Sequence, residues 1–474
     1  MSKYNIDTIA ILEMPGPRPG QISYYPFSLH SKRASIFTIT GQWTQAEETN
    51  YSNLSAARQA QSPKEIVAGA NQLGFILLQR GKYQEALPLF LEAIAISEKS
   101  GLKHVNHDAM GNLGTLYRNQ GDYAEAQKYF DLTKQQARAQ GNDHSLSIVL
   151  GNQGLMYWYQ GLHEKAMDCY NQKLSIDEKI GNLYLLGTDY GNIGGVHFSR
   201  GDFVQAENCY QKQISLARQI GDKYSLRVAL NNLAGIYDNQ ENYQKALDCY
   251  QTSLKIAREL GNLAGERVVL NNLGILLSYQ GEYAQALKYA TQSLGLARGL
   301  GDRRGEAIVM MTLGIIYKTK GGNAEALDQY KRAESIFVEL SLKEYLCECQ
   351  ALIATALLDA ERADLSLDYS RTASAAAVQS GNSEIIVRCK IIETRAGFLK
   401  GGQMTPEKAT IGLLEMLPSC PKKMEVELNI LLFEITHEPK YRQAALDAIH
   451  SRPNWQFRKD YREWVKELEN ISLK

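Results

Sequence analysis

A glycine returns every 40 residues along most of this chain, and no other feature restricts the fold as severely. The first series is Gly41, Gly81, Gly121, Gly161, Gly201, Gly281, Gly321 and Gly401, with Glu241 and Glu361 in its two gaps. Half a period away runs a second series, Gly101, Gly141, Gly181, Gly221, Gly261, Gly301 and Gly381. Repetition at this interval signals stacked units, each burying its apolar face on the next, rather than one closed core. Glycine tolerates the left-handed backbone that ends a helix, and an Asp or Asn after it can cap the next one. Asp122, Asp202, Asp222, Asp302, Asn142, Asn182, Asn262 and Asn382 all follow such a glycine. Two breaks per period therefore predict two helices of about 16 to 18 residues in each unit.

Between the breaks, residue types recur by column. Before a first-series break stand a leucine or isoleucine, a small residue and often an aromatic, as in Leu113-Gly114-Tyr117, Leu233-Ala234-Tyr237 and Leu313-Gly314-Tyr317. After it come an aromatic, an alanine and a second aromatic: Tyr123-Ala126-Phe130, Phe203-Ala206-Tyr210 and Tyr243-Ala246-Tyr250. Spacings of three and four put these on one helical face. The small residues let two helices approach while the aromatics fill the gap between them. Segments such as "NNLAGIYDNQENYQKALDCY" and "GNLGTLYRNQGDYAEAQKYF" resemble tetratricopeptide (TPR) motifs. The 40-residue form, with Gly-Asp or Gly-Asn between units, is similar to repeats of LGN/Pins-type adaptors, kinesin light chains and bacterial Rap-type regulators.

That resemblance implies an all-α, right-handed TPR superhelix of about ten helix pairs with a C-terminal capping helix. It covers residues 65–344 as seven well-formed repeats. Residues 25–64 read as a degenerate first repeat keeping Gly41, Trp43 and Ala46 in register, and 345–424 as two degenerate repeats. Residues 425–474 read as a last degenerate pair, with Tyr441 and Ala444, and a closing helix Trp455–Leu468 after Pro453. Residues 1–24 match nothing and read as an extension.

In the resembled family the first helix of each pair lines the concave surface. The inward column here is Asn112, Asn152, Asn192, Asn232 and Asn272, flanked by Gln72 and Thr312. The column before it reads Asn71, Gly111, Gly151, Gly191, Asn231, Asn271 and Met311. Asparagine and glycine each cost several tenths to about 1 kcal/mol relative to alanine inside a helix. Two explanations stand open: an amide ladder gripping the backbone of an extended peptide, with the glycines letting that backbone come near, or amides tying neighbouring repeats together. Further along the same helices lie Arg118, Trp158, Tyr159, Phe198 and Tyr279, as ligand-anchoring or inter-repeat groups. The lysine needed for a chaperone-tail carboxylate clamp is missing from the first column, and no LGN-type motif for G-protein α subunits occurs.

Composition narrows the function classes. Lysine plus arginine number 52 against 52 acidic residues, with no basic stripe, which argues against nucleic acid as the partner. Apolar runs are too short for a bilayer, so no membrane partner is expected, and the N-terminus has no signal-peptide pattern, so a cytoplasmic protein is expected. Of seven cysteines, Cys169, Cys209 and Cys249 lie 40 apart as packing residues, and Cys347-Glu348-Cys349 has no second pair at zinc spacing. His104 and His107 lie close together without a completing cluster, while His163 and His197 replace aromatics in repeat columns. No Walker loop or nucleophile elbow is present, so no catalysis, metal or cofactor is expected. The expected role is a scaffold or adaptor binding a protein or peptide in its groove. The alternatives are a peptide-sensing switch and a regulator of a separate effector enzyme, a protease, cyclase or kinase. Trp455, Phe457, Tyr461, Trp464 and Val465 either close the last repeat or support self-association.

Overall fold

A computed structural model describes residues 43–102, 106–380, 382–400, 404–420, 422–452 and 455–470. Residues 1–24, Gly41, the first helix of the 25–64 repeat, Gly381 and Gly401 lie outside the described residues. The fold is all-α, an array of helix pairs, with no strand among the described residues.

The chain forms two compact units, Met1–Gly181 and Asn182–Lys474. The first holds α1 (Trp43–Gln59), α2 (Pro63–Gln79), α3 (Tyr83–Lys99), α4 (Asn106–Gln120), α5 (Tyr123–Ala139), α6 (Asp143–Tyr159) and α7 (His163–Ile180). The second continues the alternation with α8 (Leu183–Ser199), α9 (Phe203–Ile220), α10 (Lys223–Asn239), α11 (Tyr243–Glu259), α12 (Leu263–Gln280) and α13 (Tyr283–Gly299). It goes on through α14 (Arg303–Lys320), α15 (Asn323–Glu339), α16 (Lys343–Asp359), α17 (Ala363–Ser380) and α18 (Ser383–Leu399). It ends with α19 (Pro406–Leu414), α20 (Lys422–Thr436), α21 (Pro439–His450) and α22 (Lys459–Asn470). A 3-10 turn at Trp455–Phe457 precedes α22, so the single closing helix expected over Trp455–Leu468 is interrupted there.

Helix ends follow the break chemistry. Asp122, Asn142, Asn182, Asp222, Asn262, Asp302 and Asn382 each accept a hydrogen bond from a backbone N–H in the first turn of the next helix; Asp202 does not. The break residue is left-handed at every described glycine of the two series and equally at Glu241 (φ 58°) and Glu361 (φ 57°). An L side chain in that conformation is strained by roughly 1–2 kcal/mol.

Within a pair, packing turns on a notch in the first helix. A Cβ on Gly114 would come within 2.7 Å of the Phe130 ring, and one on Gly154 within 2.7 Å of the Tyr170 ring. Gly74 and Gly194 stand against Phe90 and Tyr210 in the same way. Phe90, Phe130, Tyr170 and Tyr330 are at most 2% exposed, each burying an aromatic side chain worth about 1.5–3 kcal/mol. Where the second-helix aromatic is replaced by Ala290, the facing Gly274 meets only Ala286 and Ala290.

Candidate functional site

The first helices carry the asparagine columns, and the structure separates those amides into two kinds. Asn112 Nδ2 donates to Asn71 Oδ1 at 2.9 Å, and Asn272 Nδ2 to Asn231 Oδ1 at 3.1 Å. Each of these bonds ties an amide to an asparagine of the preceding repeat. Asn152 stands one repeat after Gly111, and Asn232 one repeat after Gly191; glycine offers no side chain to tie to. Asn152 and Asn192 make no side-chain hydrogen bond to a described residue, and Asn232 only accepts one, from Asn231 at 3.4 Å. Asn271 is 6% exposed, with its Oδ1 buried and unpaired. The column thus holds amides tied between repeats at Asn112 and Asn272, and amides whose donors have no described partner at Asn152, Asn192 and Asn232.

The glycines beside them differ as well. A Cβ on Gly151 would meet Lys173 at 3.2 Å, and one on Gly191 would meet Gln213 at 2.9 Å. Those two leave room for side chains of this chain rather than for a visiting backbone. Gly111 has nothing within 4 Å of a built Cβ.

Gly111 opens onto a cavity of about 390 Å³ in the N-terminal unit. Asn71, Asn112 and Asn152 line it together with His107, Asn50 and Asp108. Phe75 and Ile148 supply apolar wall and are 38% and 46% exposed. His107 is 3% exposed, yet among the described residues neither ring nitrogen has a partner; nor does the buried Asn50 Oδ1. Column reading missed His107 and Asn50. The sequence shows His107 only as a close neighbour of His104 without a completing cluster, and its column holds Ser147, Gly187 and Arg227, so no repetition draws attention to it.

Farther along α4, the Arg118 guanidinium donates from Nε and Nη2 to Asn119 Oδ1, at 3.2 and 2.9 Å, while Nη1 is buried without a partner. Burial pulls Arg118 below the ordinary arginine range, partly offset by the nearby Tyr159, Tyr170, Tyr123 and Tyr83. Trp158 and Tyr159 have ring centroids 5.5 Å apart, and Tyr159 is 39% exposed.

In the C-terminal unit, Phe198 packs on Phe203 at 5.7 Å. Tyr279 is covered by the same chain: the Arg458 guanidinium lies 4.7 Å from its ring centroid and 4.2 Å from that of Tyr461. Glu241, 5% exposed, accepts from Arg452 and, at 2.8 Å, from the Tyr461 hydroxyl. Lys459 sits 5.3 Å over Tyr283. Burial raises the Tyr461 phenol well above its usual range. Arg452 and residues 458–461 thus lie on α12 and the α10–α11 break, while Tyr461, Val465 and Leu468 join the core of α20 and α21. Of the side chains weighed for self-association, Tyr461 and Val465 are buried within this chain, and Trp455 and Trp464 are half-buried.

The thiols behave as packing groups. Burial pushes Cys169 and Cys347 up to about 11, and raises Cys349 and Cys389 too. Among the described residues no three His, Cys, Asp or Glu side chains group as a metal site. No described helix is long and apolar enough to cross a membrane.

The paired helices and ring-filled notches define a helical repeat protein, a fold that presents an extended surface and generally serves as a protein-interaction scaffold. Tetratricopeptide-repeat profiles match residues 105–179, 185–259 and 265–337, and another 68–100, together more than half of the chain. The chain belongs to the tetratricopeptide-repeat family. No curated protein sequence matches it significantly. Among solved structures it resembles a Rap protein complexed with competence and sporulation factor, at 14% identity and TM-score 0.51, covering 84% of this chain and 99% of that one. It also resembles aspartyl phosphate phosphatase F from Bacillus subtilis, at 13% identity and TM-score 0.52, with 77% and 98% covered. A signal-transduction ATPase with a tetratricopeptide-repeat sensor from Pyrococcus horikoshii matches at 16% identity and TM-score 0.50, with 77% and 55% covered. At such identities the likeness is one of fold.

Proposed function

We propose that this chain is a non-catalytic scaffold whose first-helix face binds an extended protein segment or peptide. One observation carries the reading, and it holds in each unit by itself: Asn152 has no side-chain hydrogen bond to a described residue where Asn112 is tied to Asn71, and Asn192 has none and Asn232 only accepts one where Asn272 is tied to Asn231. A primary amide offers two donors and an acceptor, which suits the backbone of a strand-like guest. Arg118, Trp158, Tyr159 and Phe198 lie on the same first helices as side-chain contacts for that guest. Replacing Asn152, Asn192 and Asn232 together by alanine is expected to weaken partner retention at least tenfold, with a melting temperature no lower than wild type, since alanine is the better helix former. Equal retention of the same partners, quantified by pull-down and mass spectrometry, would remove these amides from the mechanism.

A second reading, a peptide-sensing switch or regulator of a separate effector enzyme, is favoured by the C-terminal segment lying over Tyr279. A guest claiming that surface would have to displace Arg458. The resemblance in fold to a Rap protein complexed with competence and sporulation factor agrees with such a role. Ending the chain at His450 is then expected to strengthen guest binding. Unchanged affinity leaves the adaptor reading alone standing.

A further inference from the structure

The cavity of the N-terminal unit has a chemistry more specific than backbone recognition, and the assignment made here rests on the peptide-binding reading above. Asn50 Nδ2 donates to Ala46 O at 2.8 Å, which fixes the orientation of the amide because a carbonyl can only accept. Asn50 Oδ1 is thereby left as a buried acceptor with nothing to accept from. In its neutral form, His107 adds a second acceptor and one donor, both buried and unpaired. A buried polar atom without a partner has lost its hydration and gained nothing in return. Asn50 and His107 both line this cavity, and their three unpaired atoms call for a guest.

The charge of the walls selects it. Asp108 is the one carboxylate lining the cavity, and no lysine or arginine lines it among the described residues. Phe75 and Ile148 provide exposed apolar surface, with Ile76 and Val149 buried beside them. We propose that this cavity receives a basic side chain of the bound segment, a lysine or an arginine. The aliphatic stem lies along Phe75 and Ile148, as such stems do on apolar surface. The head donates to Asn50 Oδ1, to the unprotonated nitrogen of His107 and to the Asp108 carboxylate. An acidic guest would meet Asp108 with no lysine or arginine among the described lining residues to oppose it, and a purely apolar one would leave all three orphans unpaired.

Affinity selection by the full-length chain from a degenerate octapeptide library, read by mass spectrometry, tests this. Wild type is expected to retain peptides enriched in lysine or arginine at one position. Asp108→Asn should cut that enrichment about threefold, as for an exposed ion pair, and His107→Gln about tenfold, as for a hydrogen bond to a charged group. Asp108 is exposed, so its variant carries the test even if His107→Gln fails to fold. Retained peptides with neutral or acidic preferences, or a basic preference indifferent to Asp108→Asn, would overturn the assignment and leave the cavity to ordered water. Retention of no peptide at all by wild type would overturn it together with the peptide-binding reading.

Discussion

The two compact units are built on one 40-residue plan, yet their first-helix faces meet opposite fates. In the N-terminal unit the face carries an open cavity with polar atoms at His107 and Asn50 that are unpaired among the described residues, and an arginine, Arg118, that donates to the neighbouring Asn119 amide. In the C-terminal unit the chain covers its own face, with Arg458 on Tyr279 and both Arg452 and Tyr461 on Glu241. The difference traces to a single break. Where the N-terminal unit has Gly81, Gly121 and Gly161, the C-terminal unit has Glu241, which keeps the left-handed backbone at a cost and supplies a buried carboxylate in return. Glu361, the other departure, is just as left-handed but exposed. Substitution of a helix-ending glycine therefore means different things at different sites: a docking post at one, a tolerated strain at the other.

The most forceful way to break this comparison is Glu241→Ala. Removing one partner of a buried ion pair typically costs about 3–5 kcal/mol, and the loss should appear as faster amide exchange over 459–470. Glu241→Gly is expected to cost about 1 kcal/mol less, because glycine relieves the left-handed strain. Unchanged exchange in both would mean that the carboxylate does not hold the segment. A middle-sized effect sharpens the account of the N-terminal unit. Gly114→Ala drives a methyl into the Phe130 ring and should lower stability by about 1–3 kcal/mol. Gly111→Ala, into open space, should raise stability by up to about 1 kcal/mol while crowding the cavity mouth. Melting curves together with peptide retention separate the two. If both alanines destabilise alike, the open space at Gly111 is not there in solution.

The smallest effect is one of pH. Hydrogen bonds from Arg298, with burial opposing and Arg303 assisting, hold the Glu306 carboxyl below its ordinary 4.5. A carboxyl depressed in the folded state adds stability that is present above its unfolded value and fades as pH falls through the folded one. Wild type should therefore lose melting temperature below pH 4.5 more steeply than Glu306→Gln. Parallel pH profiles would show that this pair adds nothing to the C-terminal unit.

Most of the fold was legible because the repeat writes its packing in columns. Gly114 with Phe130 and Gly154 with Tyr170 recur at matched spacing, and the Asp or Asn after a glycine caps a helix at all but one of the sites named for it. The site was legible only in part. Periodicity finds what every unit shares, so it found the asparagine column; it could not tell that Asn112 would be tied and Asn152 left uncommitted. That distinction sits one column earlier, in Asn71 against Gly111, and becomes visible only once the repeats are stacked. His107 and Asn50 matter because they do not repeat. The contacts of Arg452 and Tyr461 with Glu241 join positions more than two hundred apart, beyond the reach of any local pattern. Their one trace in the sequence is the glutamate interrupting the glycine series.

The notch that seats each aromatic ring has a consequence for how such a chain can change its length. One residue added or lost within a first helix swings everything beyond it by about 100°, carrying Gly114 or Gly154 away from its ring and setting a bulkier neighbour there instead. Losing or copying all 40 residues restores every lock unchanged. The array is thus counted in whole units, and its lineage can lengthen or shorten by steps of one repeat where drift by single residues is barred.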